Sequence, residues 1–248
     1  MSAVVDRLRA AGCVFAEDEA ALLVAAASGD DLEALVARRV AGEPLEQVLG
    51  WAEFCGLRFA VEPGVFVPRR RTALLVREAV AVTPPGSVVL DLCCGTGAVG
   101  AAVAAAVAGV QLHAADVDPT AVRCARRNVP GTVHCGDLFA ALPDALRGRV
   151  DVLVANAPYV PTDAIALMPP EARDHEARAA LDGGADGLDL QRRVVAGAPG
   201  WLAPGGRLLV ETSEQQAPLT LAAFTRAGFR ARVVQDEDLA GTVVVGVR

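Results

Sequence analysis

From residue 87 onward, short apolar runs alternate with helical stretches, and few folds can absorb that rhythm. "SVVLDLCC" is followed by "GTGAVGAAVAAAVAG", and "VQLHAADVD" by "PTAVRCARRNV". "TVHCGD" and "VDVLVANAPY" continue the series, and "GLDLQRRVVAGAPGWL" is a helix ahead of a fifth strand, "GRLLVETS". Parallel neighbours need a crossover of a dozen or more residues, which a helix supplies, so this alternation predicts a doubly wound, mostly parallel sheet. "FRARVVQD" and "TVVVGVR" bring the count to seven strands, and with no helix between them they form an antiparallel hairpin at the sheet's edge. Upstream, "EFCGLRFAVEPGVFVPRRR" alternates apolar and polar residues around Gly56 and Gly64, a second hairpin. The first 45 or so residues carry helical patterns, with Asp30 or Asp31 as N-cap and Gly42 as stop. The expected division is a small helical, substrate-docking segment over 1–48, a linking hairpin and helix over 49–86, and the sheet domain over 87–248.

In an open parallel sheet, ligands bind beyond the carboxyl ends of the strands. The first strand ends in "DLCCGTGAVG", where Gly95, Gly97 and Gly100 meet the dinucleotide pattern G-x-G-x-x-G. The glycines let the backbone turn tightly beside a ligand, and a helix N-terminus follows. Asp116 ends the second strand, where a carboxylate accepts bonds from both hydroxyls of a ribose; Asp118, in "DVDPTAV", reads as the cap of the next helix. Asp137 ends the third strand at the position of an adenine's amine, with a helix cap as the competing reading. NAD and S-adenosylmethionine share these ribose and adenine features. Asp91, four residues before the glycines, favours the second, because an anion there suits an ammonium and a sulfonium and opposes a pyrophosphate.

The fourth strand ends in "VANAPYVPT". Asn is depleted from strands, so Asn156 belongs at the strand's end, facing a cleft, and Pro158 and Pro161 stiffen the loop around Tyr159. A plain strand cap is the competing reading for Asn156, and core packing for Tyr159 and Phe66. Glu211 reads as structural, and Glu171, Asp174, His175 and Glu176 as solvated charge or substrate contacts.

Several classes drop out. The chain has no lysine among its 23 basic residues, which excludes Schiff-base chemistry and a P-loop lysine. Its six cysteines form no C-x-x-C pair and its three histidines no ligand spacing, so no metal is expected. Scattered reduced cysteines and a start without a signal-peptide core fit a cytoplasmic protein. The uncharged stretch 97–115 is mostly Ala and Gly, and reads as a buried helix and strand, with no membrane span expected. A net charge of −7 argues against direct nucleic-acid binding, and the basic run Arg69-Arg70-Arg71 reads as a solvated loop.

With these blocks in order, the sequence resembles the class I S-adenosylmethionine-dependent methyltransferases, and within them the protein-(glutamine-N5) methyltransferases that modify peptide-release factors. The matching stretches run from about residue 49 to the end and include "LGWAEFCGLRFAVEPGVFVPR", "VLDLCCGTGAVG", "AADVDPTAV", "NAPY" and "ALDGGADGLD". Three departures mark it as a divergent paralogue. The family's Asn-Pro-Pro-Tyr loop has Ala157 as its second residue, the Pro-Arg-x-x-Thr-Glu block ends in Thr72-Ala73, and the N-terminal part is short. The resemblance implies a Rossmann-like fold, S-adenosyl-L-methionine bound by Asp91, Cys93, Gly95, Thr96, Gly97, Asp116, Asp137, Leu138 and Asn156, and a glutamine-bearing protein as partner. It also implies that the Asn156 side-chain oxygen and the carbonyl of Ala157 hold the acceptor's NH2 group, with Pro158, Tyr159 and Phe66 around it. Methylation of a small-molecule amide or amine, methylation of adenine in nucleic acid, an NAD oxidoreductase and a non-catalytic binding scaffold are the alternatives.

Overall fold

In the computed structural model, which describes residues 1–248, the N-terminal part is four helices: α1 (Ser2–Ala10), α2 (Ala16–Ala26), α3 (Gly29–Val40) and α4 (Leu45–Leu49). They bury a small cluster of their own, with Leu8, Leu23 and Val36 at its centre. The start of α3 corrects the expected cap. Ser28 precedes the helix and makes no side-chain capping bond, while Asp30 and Asp31 lie in the first turn, where a carboxylate complements the helix dipole. Gly42, at φ +97°, takes the left-handed conformation beyond the helix end.

Strands β1 (Trp51–Phe54) and β2 (Leu57–Ala60) form the expected antiparallel hairpin, and α5 (Ala73–Val82) leads into the sheet. There follow β3 (Val88–Leu92), α6 (Ala98–Ala106), β4 (Gln111–Asp116), α7 (Pro119–Asn128), β5 (Thr132–Cys135) and β6 (Val150–Ala155). The short α8 (Pro170–His175) and then α9 (Asp189–Gly197) precede β7 (Leu202–Glu211). The chain closes with α10 (Ala217–Arg226), β8 (Arg230–Asp236) and β9 (Gly241–Val247). The sheet order is β5-β4-β3-β6-β7-β9-β8; the first five are parallel and β9 pairs antiparallel with both β7 and β8. The sheet is therefore the seven-stranded, doubly wound one expected. The sequence reading passed over α10, which seats the fully buried Phe224 against one face of the sheet.

All five residues of β3 are buried, as a central parallel strand covered on both faces requires. The uncharged stretch is α6 followed by β4, and no helix is long and apolar enough to cross a membrane. Two side chains tie the N-terminal helices to the rest. Arg39, only 6% exposed, lies between Glu19 at 2.6 Å and Glu171 at 2.6 Å. Gln47 Nε2 donates to the carbonyls of Val65 (3.1 Å) and His175 (3.2 Å), while its Oε1 accepts from Gly64 N (3.2 Å).

Candidate active site

A cavity of about 350 Å³ opens at the carboxyl ends of β3, β4, β5 and β6. Of the residues that the resemblance assigns to cofactor or acceptor, all line it except Gly97. At φ +76°, Gly97 turns the chain into α6, and a Cβ there would lie 2.4 Å from Val129 Cγ2. Its glycine serves helix packing. Gly95 (φ +55°) does line the cavity, and Phe66, carried by the linker, comes down beside it.

Two carboxylates dominate this end. Asp91 is 1% exposed, and its Oδ2 accepts from Gly100 N at 2.8 Å in the first turn of α6. Gly100 makes room for it, because a Cβ there would meet Asp91 Cβ at 3.0 Å. Burial pushes the Asp91 carboxyl up to about 7; the Gly100 bond opposes this and the charge of Asp116 adds to it. Asp116 accepts from Gly95 N (2.8 Å) through Oδ2 and from Asp118 N (3.0 Å) through Oδ1, and burial raises it too. Two acids that desolvate and repel one another make a pocket suited to a cation, the charge that an ammonium and a sulfonium bring.

Asp118 caps α7 by accepting from Thr120 N at 2.8 Å, as expected. Asp137 makes no capping bond and pairs instead with Arg193 at 2.6 Å, so the helix-cap alternative is set aside. Leu138 is buried beside it with φ +49°, a conformation a branched residue adopts only under constraint from its surroundings.

The far end of the cavity is built by the loop after β6. Asn156 Nδ2 donates to Thr72 Oγ1 at 3.4 Å, and no protein group donates to Asn156 Oδ1. Ala157 is completely buried. The Tyr159 hydroxyl donates to Glu211 Oε1 at 3.1 Å, and its backbone carbonyl accepts from Gln216 Nε2 at 2.9 Å. Burial and the neighbouring Glu211 both raise the Tyr159 phenol, so it stays protonated as the donor.

Two arginines of the basic run are held by buried carboxylates, while Arg70 stays exposed as the sequence suggests. Arg69 pairs with Glu176 at 2.7 Å and lies 5.0 Å over the Phe66 ring. Arg71 reaches Glu211 at 3.4 Å and lies 5.8 Å over the Tyr159 ring. Glu176 is not solvated, since its side chain is fully buried and Oε1 also accepts from Val67 N at 3.1 Å. Sequence reasoning missed Thr72, Arg71 and Glu211 as neighbours of the loop, and the Pro68-Arg69-Arg70-Arg71-Thr72 block was the one signal that could have pointed there.

The geometry thus joins two carboxylates raised by burial at the strand ends to a loop on which Asn156 Oδ1 has no protein donor. A family model described as the methyltransferase small domain matches residues 56–186. A release factor glutamine methyltransferase of Geobacter sulfurreducens is 43% identical, over 79% of this chain and 69% of that protein. The chain belongs to this methyltransferase family. Enzymes of the family use S-adenosylmethionine as methyl donor, and this methyltransferase is S-adenosylmethionine-dependent too. A 4-amino-L-phenylalanine/4-methylamino-L-phenylalanine methyltransferase of Streptomyces pristinaespiralis is 37% identical, over 78% of this chain and 69% of that one. Among solved structures, a methyltransferase from Pyrococcus furiosus aligns with a TM-score of 0.60 at 17% identity, covering 85% of this chain and 96% of that one, which shows the fold.

Proposed function

We propose that this methyltransferase acts on the side-chain amide nitrogen of a protein glutamine, with a peptide-release factor as acceptor. The observation that carries the reading is the commitment of Asn156 Nδ2 to Thr72, which leaves Oδ1 free to accept. An amide nitrogen is a poor nucleophile because its lone pair is delocalised into the carbonyl. Two acceptors that bind its two N–H bonds hold the NH2 group in one orientation and aim the lone pair along the line of transfer. Asn156 Oδ1 is one acceptor and the carbonyl of Ala157 the other; alanine in place of the family's proline keeps that carbonyl. Phe66 and Tyr159 exclude water from the transfer, and the nitrogen sheds its proton to solvent afterwards, so no strong base is required.

The bound cofactor supplies an electrophilic methyl group. In this reading Asp116 accepts from its ribose hydroxyls and Asp91 faces its ammonium. Asp137 and Leu138 take the adenine, and Cys93, Gly95 and Thr96 line its path. The helical segment 1–48 docks the protein substrate, an assignment supported by its own small core and by its ties to the cavity wall through Arg39 and Gln47.

The test is incubation with methyl-labelled S-adenosylmethionine and purified bacterial release factors, with 4-aminophenylalanine as a parallel acceptor. The expected result is one labelled glutamine in the release factor, located by peptide mass spectrometry. Labelling of the free amino acid alone would move the acceptor to an aromatic amine, whose planar NH2 group the same two acceptors fit.

A further inference from the structure

Glu211, at the end of β7, is 1% exposed, and its two oxygens are treated unequally. Oε1 accepts from the Tyr159 hydroxyl at 3.1 Å and from Arg71 Nε at 3.4 Å, whereas Oε2 is buried without a hydrogen-bond partner. A buried carboxylate oxygen left unmatched is costly, so the nearest donor should serve it. Thr72 carries the neighbouring hydroxyl that could turn to serve it. Thr72 is 2% exposed and favours the charged form of Glu211, while Oε2 itself makes no hydrogen bond. The oxygen of the same hydroxyl accepts from Asn156 Nδ2.

We propose that Glu211 is a positioning residue that sets the direction of a three-member hydrogen-bond chain, Asn156 to Thr72 to Glu211, and thereby fixes which end of the Asn156 amide faces the acceptor. The proposal rests on the role given to Asn156 above. A hydroxyl has one hydrogen, and an ionised carboxylate only accepts. With the Thr72 hydrogen given to Glu211, Thr72 offers only lone pairs to Asn156, which must turn its NH2 towards Thr72. Its Oδ1 is then left for the substrate. If Glu211 became protonated or were an amide, Thr72 could donate to Asn156 Oδ1 instead. The Asn156 NH2 would then meet the acceptor's NH2, donor against donor.

The titratable groups facing Glu211 are Arg71, in the turn before α5, and Tyr159, on the loop after β6. Its neighbour across the sheet on β9 is Val243, and α9 contributes only the uncharged Gln191, which donates to the Glu211 backbone carbonyl at 3.0 Å. Burial raises the Glu211 carboxyl, while Thr72, Arg71 and Tyr159 favour its charged form. Since the ionised form orients the chain, turnover is retained above the raised value and lost as pH falls through it.

The kinetic test compares Glu211→Gln, Thr72→Val and Thr72→Ser on the release-factor acceptor. In the first two, kcat should fall by about tenfold or more while cofactor affinity changes by less than about twofold. Thr72→Ser, which keeps the hydroxyl, should recover most of the loss. The acid limb of the kcat profile should disappear in Glu211→Gln. Normal kcat in Thr72→Val overturns the proposal. Neutron diffraction of the deuterated wild-type protein decides it independently of any acceptor. The expected map has the Thr72 deuterium directed at Glu211 and the Asn156 ND2 directed at Thr72, and a Thr72 deuterium directed at Asn156 Oδ1 overturns it. Failure of the wild type to methylate a release factor would overturn the acceptor assignment alone, because the neutron result would still stand.

Discussion

Lowering the pH from neutrality should weaken cofactor binding through Asp91, by an amount the structure sets. Its carboxyl is pushed up to about 7 by burial, against one opposing bond from Gly100 N. A ligand ammonium favours the ionised form. If that form alone binds, the apparent Kd rises by the inverse of the ionised fraction: about twofold at pH 7, about tenfold at pH 6 and about a hundredfold at pH 5. The assay is calorimetric titration with S-adenosylhomocysteine, whose amino group remains protonated across this window. Runs at pH 7 in buffers of different ionisation enthalpy should show about half a proton released on binding. Asp91→Asn should bind more weakly and remove most of the pH dependence, leaving the smaller slope of Asp116, which burial also raises. The sign for stability is the reverse of the usual carboxylate case. The folded value lies above the unfolded one, so native Asp91 binds the extra proton between the ordinary carboxylate range and about 7. Its contribution to stability then declines as pH rises through that window. A Kd that stays constant from pH 8 to pH 6 would refute the reasoning and remove Asp91 from the cation's surroundings.

Asn156→Ala removes one of the two acceptors that orient the NH2 group, so kcat should fall by about 10² with cofactor affinity nearly unchanged; steady-state kinetics beside a binding titration would reveal either failure. Asp116→Ala should cost at least about tenfold in cofactor affinity while the circular dichroism spectrum stays native, since each charge-assisted bond is worth about 1.5–3 kcal/mol. Gly97→Ala places a methyl 2.4 Å from Val129 Cγ2 at φ +76°, and should destabilise the protein by about 1–3 kcal/mol in denaturant unfolding. Its folded fraction should bind cofactor normally, because Gly97 does not line the cavity.

The strands were legible because parallel strands covered on both faces read as continuous apolar runs, as β3 and β6 do. Helix α10 was not, since "APLTLAAFTR" mixes β-branched and aromatic residues among its alanines, while its role, seating Phe224 on the sheet, depends on packing against Phe229 and β9. The acids of the cofactor pocket were legible for a topological reason: a parallel sheet gathers its carboxyl ends on one edge. Their pairings were not. Asp137 meets Arg193 across 56 residues, Arg69 meets Glu176 across 107, and Arg71 meets Glu211 across 140. A carboxylate's partner at such separations is decided by packing, so Glu176 reads as solvent-facing when it is buried, and Arg69 and Arg71 read as unpaired when each meets a buried carboxylate.

The tie made by Gln47 has a consequence for how the molecule comes into being. Its amide joins the N-terminal helices to the carbonyl of His175, 128 residues further along. Closing a loop of that length costs chain entropy before any contact repays it, and contacts of long sequence separation form slowly. On the ribosome the N-terminal helices emerge first, but the wall they hold does not exist until residue 175 has been made. Arg39 likewise has Glu19 at hand from the outset and acquires Glu171 only later. The wall that Gln47 and Arg39 tie down can thus close only once the four strands whose ends form the cavity's floor have been made.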